Sequence, residues 1–286
     1  MIVVSGATGR LGGAVLTELL EHLPASEVGA STTRPEELAR FSEAGVRVRR
    51  GDFDDPASLG HSFDGADRVL LVSAPRHGEA AIAAHRVAIS AARDAGVGRL
   101  FYTSHVGADA LSPFPPAVTH AATEVMLRDS GIAFTALRNG FYADTPLRLV
   151  RSAAESGVLR VPADAPVSWT MHRDLAPGIA ALLLDPAIDL PAINLTAGRA
   201  MDMAELAEAG RRSLGRVIRH EQISDEDFAA GLAATGAPAI AVTMTLGIFL
   251  ASRQRHLGIV DPSLTELLDR PTTSLEAAIP EGIDVS

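Results

Sequence analysis

The chain opens Met1-Ile-Val-Val-Ser-Gly6-Ala-Thr-Gly9-Arg-Leu-Gly12. An apolar run stops at a glycine-rich turn, and a helical pattern follows at once with Val15, Leu16, Leu19, Leu20 and Leu23 on one face. The glycines have the spacing GxxGxxG. Gly6 permits a tight turn out of a strand, Gly9 lets the backbone approach a pyrophosphate, and Gly12 lets the new helix pack close to the strand. The N–H groups of that helix's first turn then meet the phosphate charge. A bare glycine triplet is weak; its place between strand and helix gives it meaning, and an ordinary tight βα turn is the alternative. The dinucleotide contacts expected here are Gly6, Thr8, Gly9, Arg10, Leu11 and Gly12.

Outward from this turn, strand-like runs at 2–4, 28–31, 46–49, 68–72, 100–103 and 133–137 alternate with helical stretches at 12–23, 35–44, 79–95 and 118–130. Asp55 can cap a further helix whose first turn holds Pro56. Near-continuous apolar strands separated by helices imply a parallel sheet covered on both faces, and right-handed crossovers make it an α/β, doubly wound Rossmann sheet. The rhythm then breaks. Residues 147–156 read as helix, 161–166 as a loop, 174–184 as helix, and 193–196 as one more strand returning to the main sheet. From about 201 onward the chain reads as mostly helical, with a loop near 261–273 and a mobile, glycine- and alanine-rich loop at 229–239. The expectation is a dinucleotide-binding Rossmann domain of residues 1–146 plus roughly 167–198, and a smaller, mostly helical substrate lobe of roughly 147–166 and 199–286.

With 286 residues, 47% of them hydrophobic, the chain can bury a full core. A net charge of −10 argues against a nucleic-acid partner, which needs a clustered basic surface. The absence of cysteine excludes disulfides, a thiolate nucleophile and cysteine-bound metal. The nine histidines show no HxxxH or HExxH spacing, so no metal is expected. The longest apolar stretch, 237–251, is shorter than the roughly 20 residues a membrane span needs. It reads as a buried helix or a wall of a substrate pocket. With no charged leader at the N-terminus, the chain reads as soluble and cytoplasmic. All 25 basic residues are arginine, so no mechanism that needs a lysine ammonium can operate.

NAD-selective sites place an acidic residue about 20 positions after the glycine turn, on the ribose 2′-hydroxyl. Here the second strand ends Ser31-Thr32-Thr33-Arg34. Arg34 can pair with a 2′-phosphate as a permanently charged fork, which favours NADP(H) over NAD(H); a solvated surface arginine is the alternative. After the third strand, Asp52 of Gly51-Asp52-Phe53 can accept from the adenine amino group with Phe53 packed nearby, or the segment serves helix capping. Ser73 and Ala74, closing the fourth strand, are small enough to let the nicotinamide ribose approach. Ligands of such sheets lie beyond the carboxyl ends of the strands. The fifth strand ends Phe101-Tyr102-Thr103-Ser104-His105 and the sixth Leu137-Arg138-Asn139-Gly140-Phe141-Tyr142, so these two loops should flank the nicotinamide.

These strings resemble the NmrA-like atypical short-chain dehydrogenases/reductases. Asp129-Ser-Gly-Ile132, Trp169-Thr-Met-His172-Arg-Asp174-Leu-Ala176, Asn194-Leu-Thr-Ala-Gly198, Asp261-Pro-Ser-Leu264 and Arg270-Pro-Thr-Thr273 carry the resemblance along nearly the whole chain. The Arg138–Tyr142 string and His120-x-x-x-Glu124 make it most like the bacterial NADPH-dependent quinone oxidoreductases of that family. The resemblance implies hydride transfer from NADPH to a quinone or similar electrophilic aromatic acceptor. The wider superfamily uses a Tyr-x-x-x-Lys pair whose cation lowers the phenol pKa. Here the fourth residue after Tyr102 is Val106 and after Tyr142 is Pro146, so the pair is missing. Quinones, as strong hydride acceptors, need less acid activation than ketones, and positioning can supply much of the barrier lowering.

The resemblance places His120 where the family has a basic residue four before a helix glutamate, and Ser104 at the superfamily's usual serine. His120, Ser104, Asn139 and Tyr142 are the expected catalytic residues, and Thr103, His120, Asn139, Gly140 and Phe141 further cofactor contacts. A helix-surface histidine facing Glu124 is the alternative for His120. Phe141 and Trp169 are candidate walls against a flat ring, and His105 and His172 lie within possible reach of the pocket. A non-catalytic NADP(H)-binding sensor fits the missing pair equally well, and a reductase of one specialised aromatic substrate is a third reading. A small-molecule acceptor is the expected partner, with a homodimer admissible.

Overall fold

The computed structural model describes residues 1–281, so the last five residues of the expected second lobe, 282–286, lie outside the described residues. The first half alternates β1 (Ile2–Ser5), α1 (Arg10–His22), β2 (Val28–Thr32), α2 (Ala39–Glu43), β3 (Arg47–Arg50), α3 (Pro56–Phe63), β4 (Arg68–Leu71), α4 (Gly78–Asp94), β5 (Arg99–His105), α5 (Pro115–Asp129) and β6 (Ala133–Asn139). The second half continues with β7 (Phe141–Tyr142), α6 (Asp144–Ser156), β8 (Val158–Val161), β9 (Trp169–Thr170), α7 (His172–Leu184), β10 (Ala192–Leu195) and α8 (Met203–Leu214). It ends with β11 (Arg219–Gln222), α9 (Asp225–Ala234), α10 (Ala239–Arg253), α11 (Ser263–Leu268) and α12 (Leu275–Glu281).

Among the described residues, seven strands form one parallel sheet in the order β10-β6-β5-β4-β1-β2-β3. The chain leaves β1 towards β2 and β3, then crosses back to β4. The switch point therefore falls between β1 and β4, where such sheets open a crevice beyond their carboxyl ends. The expected returning strand is β10, which pairs with β6 from Ala192 opposite Ala136 to Leu195 opposite Asn139. One core cluster joins Val3, Val69, Leu71, Leu100 and Tyr102 of the sheet to Leu59, Phe63, Ala88, Ala92 and Leu127 of the helices. Full burial of one such aliphatic side chain contributes about 1.5–3 kcal/mol. The capping expectation at α3 is met: Asp55 Oδ1 accepts the Ser58 N–H at 3.2 Å, with Pro56 in the first turn.

The chain divides into two compact units. The first comprises 1–110, 118–139 and 172–195, the second 111–117, 140–171 and the chain from 196 on. Residues 140–146 and 167–171, expected with the Rossmann domain, group with the second unit because Phe141–Tyr142 pair with Trp169–Thr170 and Val167 bridges Met201. Residues 111–117 join them because Gly247 of α10 lies against Pro113 and Phe114. The second unit is also less purely helical than its sequence reads. Val158–Val161 and Arg219–Gln222 form a two-stranded parallel sheet, tied by Arg160 and Glu221 at 2.7 Å. All four residues of β11 are polar and exposed, so no apolar alternation announces that strand. The stretch 229–239 is not a loop throughout. α9 runs to Ala234 behind a Ser224 cap, and only 235–238 separates it from α10. Among the described residues no helix is long and apolar enough to cross a membrane.

Candidate active site

The glycine turn is built as an anion cradle. Gly6 has φ +60°, Gly9 N–H donates to the Gly6 carbonyl at 2.8 Å, and α1 starts at Arg10. A Cβ on Gly12 would lie 2.5 Å from the Gly6 carbonyl oxygen, so only glycine lets α1 seat this close to the end of β1. The α1 N-terminus has no side-chain cap and no acidic residue in its first turn. Its N–H groups and dipole are thus left for an external anion, which fits a pyrophosphate. The Leu11 side chain is buried in the core, so only its backbone borders the turn.

Around this cradle, neighbouring strands are tied by side chains. Thr8 Oγ1 meets Thr32 Oγ1 at 3.1 Å, and Thr32 Oγ1 also accepts the Arg34 N–H at 3.1 Å. The Arg34 guanidinium is hydrogen-bonded to the Glu37 carboxylate, so it is not the free surface cation its sequence suggests. Ser5 Oγ accepts the Val72 N–H at 2.9 Å and Thr103 Oγ1 the Ser73 N–H at 2.8 Å, which aligns the ends of β1, β4 and β5. Asp52 is committed locally: Oδ1 accepts the Asp54 N–H at 3.0 Å and Oδ2 pairs with Arg50 at 2.8 Å. Phe53 packs on the core cluster and meets the His85 ring edge-on. The capping alternative is met next door at Asp55, while Asp52 braces the turn before it.

Beyond the ends of β4, β5 and β6 lies a polar cluster inside the first unit. Ala74 N–H donates to His85 Nε2 at 2.9 Å, so the proton of that neutral ring sits on Nδ1. Nδ1–H then donates to Thr123 Oγ1 at 2.8 Å, whose own hydroxyl donates to the Thr119 carbonyl at 2.8 Å. With that nitrogen occupied, the Tyr102 hydroxyl donates to His120 Nδ1 at 2.7 Å, which assigns the His120 proton to Nε2. The His120 ring meets His105 edge-on at 4.7 Å between centroids, and His105 Nδ1–H donates to the Val106 carbonyl. Burial pushes His85 and His105 down to about 4, lowers His120 well below its usual value and raises Tyr102. All four groups are consequently neutral at pH 7. The alternative of a surface histidine facing Glu124 is thereby replaced by a half-buried ring bound to Tyr102.

Ser104 is tied into an ion pair. Its hydroxyl donates to Glu124 Oε1 at 2.8 Å, and Glu124 also takes Arg138 through Nε at 3.0 Å and Nη2 at 2.6 Å. The serine is 3% exposed and holds one end of this ion pair. A Cβ on Gly140 would meet Thr170 Oγ1 at 2.1 Å, so the missing side chain serves packing between β7 and β9. Phe141 and Trp169 form an aromatic cluster with Phe114 in the second unit and are mostly buried, whereas Tyr142 is 41% exposed. Asn139 is brought opposite His105 by the β5–β6 register. The expected residues His120, His105 and Asn139 therefore converge. His85 and Tyr102 join them without having been singled out. The signal for His85 was available: it stands on the buried alanine stripe of Ala81, Ala84 and Ala88 in α4.

A phosphate cradle at the switch point of a parallel sheet is the geometry of a Rossmann-type dinucleotide-binding protein. The NmrA-like family model matches residues 1–259, and the chain belongs to that family. It is 31% identical to quinone oxidoreductase 2 of Escherichia coli over 287 residues, covering 100% of both chains. The solved NADPH complex of an E. coli NADPH-dependent quinone oxidoreductase matches with TM-score 0.92 at 32% identity, over 98% of this chain and 99% of that one. The NADP(H) complex of Citrobacter sp. triphenylmethane reductase matches with TM-score 0.92 at 31% identity, over 99% and 100%.

Proposed function

We propose that the protein is an NADPH-dependent reductase delivering hydride to a quinone or similarly electrophilic aromatic acceptor, without a Tyr–Lys pair. The observation that carries this reading is the Asn139 carboxamide. It is 1% exposed, and neither its Nδ2 nor its Oδ1 has a hydrogen-bond partner. Leaving such a group unsatisfied costs about 1–3 kcal/mol, and a ligand that donates and accepts there recovers it. A nicotinamide carboxamide or ribose offers both functions. Bound NADPH supplies the hydride. The α1 N-terminus would hold its pyrophosphate, and Asn139 would orient the nicotinamide end.

His120 acts as a neutral imidazole, because burial keeps it unprotonated. Its Nε2–H would donate a hydrogen bond to the oxyanion that develops as the quinone accepts hydride, and water would complete the hydroquinone with a proton. Tyr102 fixes the tautomer this needs. On this reading His120→Leu should lower kcat about 10²-fold and leave the NADPH Kd nearly unchanged, as expected for one lost oxyanion donor. Unchanged kcat would remove His120 from the reaction. Asn139→Leu should separate stability from binding. The free protein should gain about 1 kcal/mol in urea unfolding, since an unsatisfied carboxamide is replaced by an apolar group of similar size, while NADPH binding drops more than tenfold. A less stable variant with intact NADPH binding would refute this role.

The deciding assay is oxidation of NADPH, with and without a small benzoquinone, followed by nicotinamide absorbance. Saturable quinone-dependent turnover supports the reductase. NADPH binding without turnover supports the sensor reading, which fits the missing Tyr–Lys pair equally well.

A further inference from the structure

Beside the glycine turn, the first unit carries a groove of about 420 Å³ whose walls include Thr8, Gly9, Arg10, Glu37, Arg40 and Phe41. The wall opposite the turn is held in place by named contacts. The Thr8–Thr32 contact ties β2 to the turn, Thr32 holds the Arg34 N–H, and the Glu37 N–H donates to the Arg34 carbonyl at 3.1 Å. Arg34, at the N-cap of the single turn Pro35–Leu38, and Glu37 within that turn pair side chain to side chain three residues apart. Arg40 is held by a different contact, its guanidinium 4.4 Å over the Phe41 ring. The groove therefore combines the cations Arg10 and Arg40 with one carboxylate, Glu37, which is itself paired with Arg34.

We propose that Glu37 is a coenzyme-specificity residue that restrains the preference for NADPH and admits NADH. The inference rests on the dinucleotide-binding reading and adds to it a reason for limited selectivity. The Arg34–Glu37 pair is solvent-accessible on both sides, 58% and 42%, so it is weak enough to open. A 2′-phosphate drawn to Arg34 must either displace Glu37, at the cost of the ion pair, or sit beside it, as a dianion next to a carboxylate. A ribose 2′-hydroxyl meets no such penalty. It can donate to Glu37, as the acidic residue of NAD-selective sites accepts that hydroxyl. Arg34 thus favours the phosphate, and Glu37 opposes it from the same turn.

The test measures Kd for NADPH and NADH by nicotinamide fluorescence on the wild type, Glu37→Gln, Arg34→Gln and the double variant. Glu37→Gln should tighten NADPH about tenfold and weaken NADH a few-fold, raising the ratio of their affinities more than tenfold. Arg34→Gln should move the ratio the other way. In the double variant the gain from Glu37→Gln should shrink, because the two residues act on each other. Melting temperatures should stay level, since both side chains are accessible. An unchanged ratio in Glu37→Gln, with both coenzymes still bound, overturns the proposal. Binding of neither coenzyme by the wild type overturns the dinucleotide reading beneath it instead.

Discussion

Gly12→Ala should abolish NADPH binding and lower the melting temperature by several degrees. The added Cβ would lie 2.5 Å from the Gly6 carbonyl oxygen, 3.0 Å from its carbon and 3.2 Å from the Ser5 carbonyl oxygen. Every one of these atoms is backbone, so no side chain can turn aside. α1 must instead move off β1, and it carries the buried Leu11, Val15, Leu16 and Leu19 with it. Overpacking of this kind costs about 1–3 kcal/mol. In a chain of this size that lowers the melting temperature by about 2–4 °C per kcal/mol. Binding suffers more, because the same shift displaces the first-turn N–H groups from the phosphate. A loss of more than 10²-fold in NADPH affinity is expected, equivalent to about 3 kcal/mol. Gly60→Ala is the matched control. It lies inside α3 with nothing within 4 Å of its added Cβ. Alanine there should stabilise by about 0.5–1 kcal/mol through helix propensity, without touching NADPH affinity. Wild-type NADPH affinity in Gly12→Ala would show that the turn does not hold a pyrophosphate.

That glycine was legible because its constraint is local. The strand, the turn and the helix lie within a dozen residues, and the periodic patterns of the other sheet strands announce themselves in the same way. Features set by long-range packing were not. β11 is a polar edge strand whose existence depends on β8, some sixty residues earlier in the chain. His85 faces Tyr102 and Thr123 only because α4 and α5 lie over β5, and no spacing in sequence encodes that meeting. Ser104 occupied the right strand end but its hydroxyl was already committed to Glu124. Gly140 stood in a family motif for a reason of packing against Thr170. Glu37 escaped notice because Arg34 was read as a single cation, whereas the turn that follows it folds a carboxylate back onto the guanidinium. Strand-end position identified Asn139, and only the fold shows that its carboxamide has no partner.

Acidification from pH 6.5 towards 4 should destabilise the protein steeply, because the buried His85 and the half-buried His105 and His120 must stay neutral. Burial holds His85 and His105 at about 4, against the 6.5 of an unfolded chain. His120 is also lowered, first by burial and then by the other two histidines. Between these values the unfolded chain binds protons that the folded chain refuses. The stabilisation is therefore complete above pH 6.5 and is lost as pH falls towards 4. A shift of that size corresponds to about 3 kcal/mol for each of His85 and His105, against a total stability of about 5–15 kcal/mol. Two groups of acids bound the window. The carboxylates lowered by ion pairing, such as Asp54 and Asp225 with Arg76 and Arg253, titrate below it. Asp164, raised by burial, acts in the opposite sense and offsets part of the slope. Urea unfolding at half-unit pH steps should show stability falling throughout this range. In His85→Gln the slope should fall by close to one proton, with the amide oxygen taking over the Ala74 N–H. A flat profile in the wild type, or an unchanged slope in His85→Gln, would mean that these rings are not held neutral by the fold. The neutral-donor role given to His120 would then lose its basis, since a ring protonated at pH 5 to 6 would act as a conventional acid.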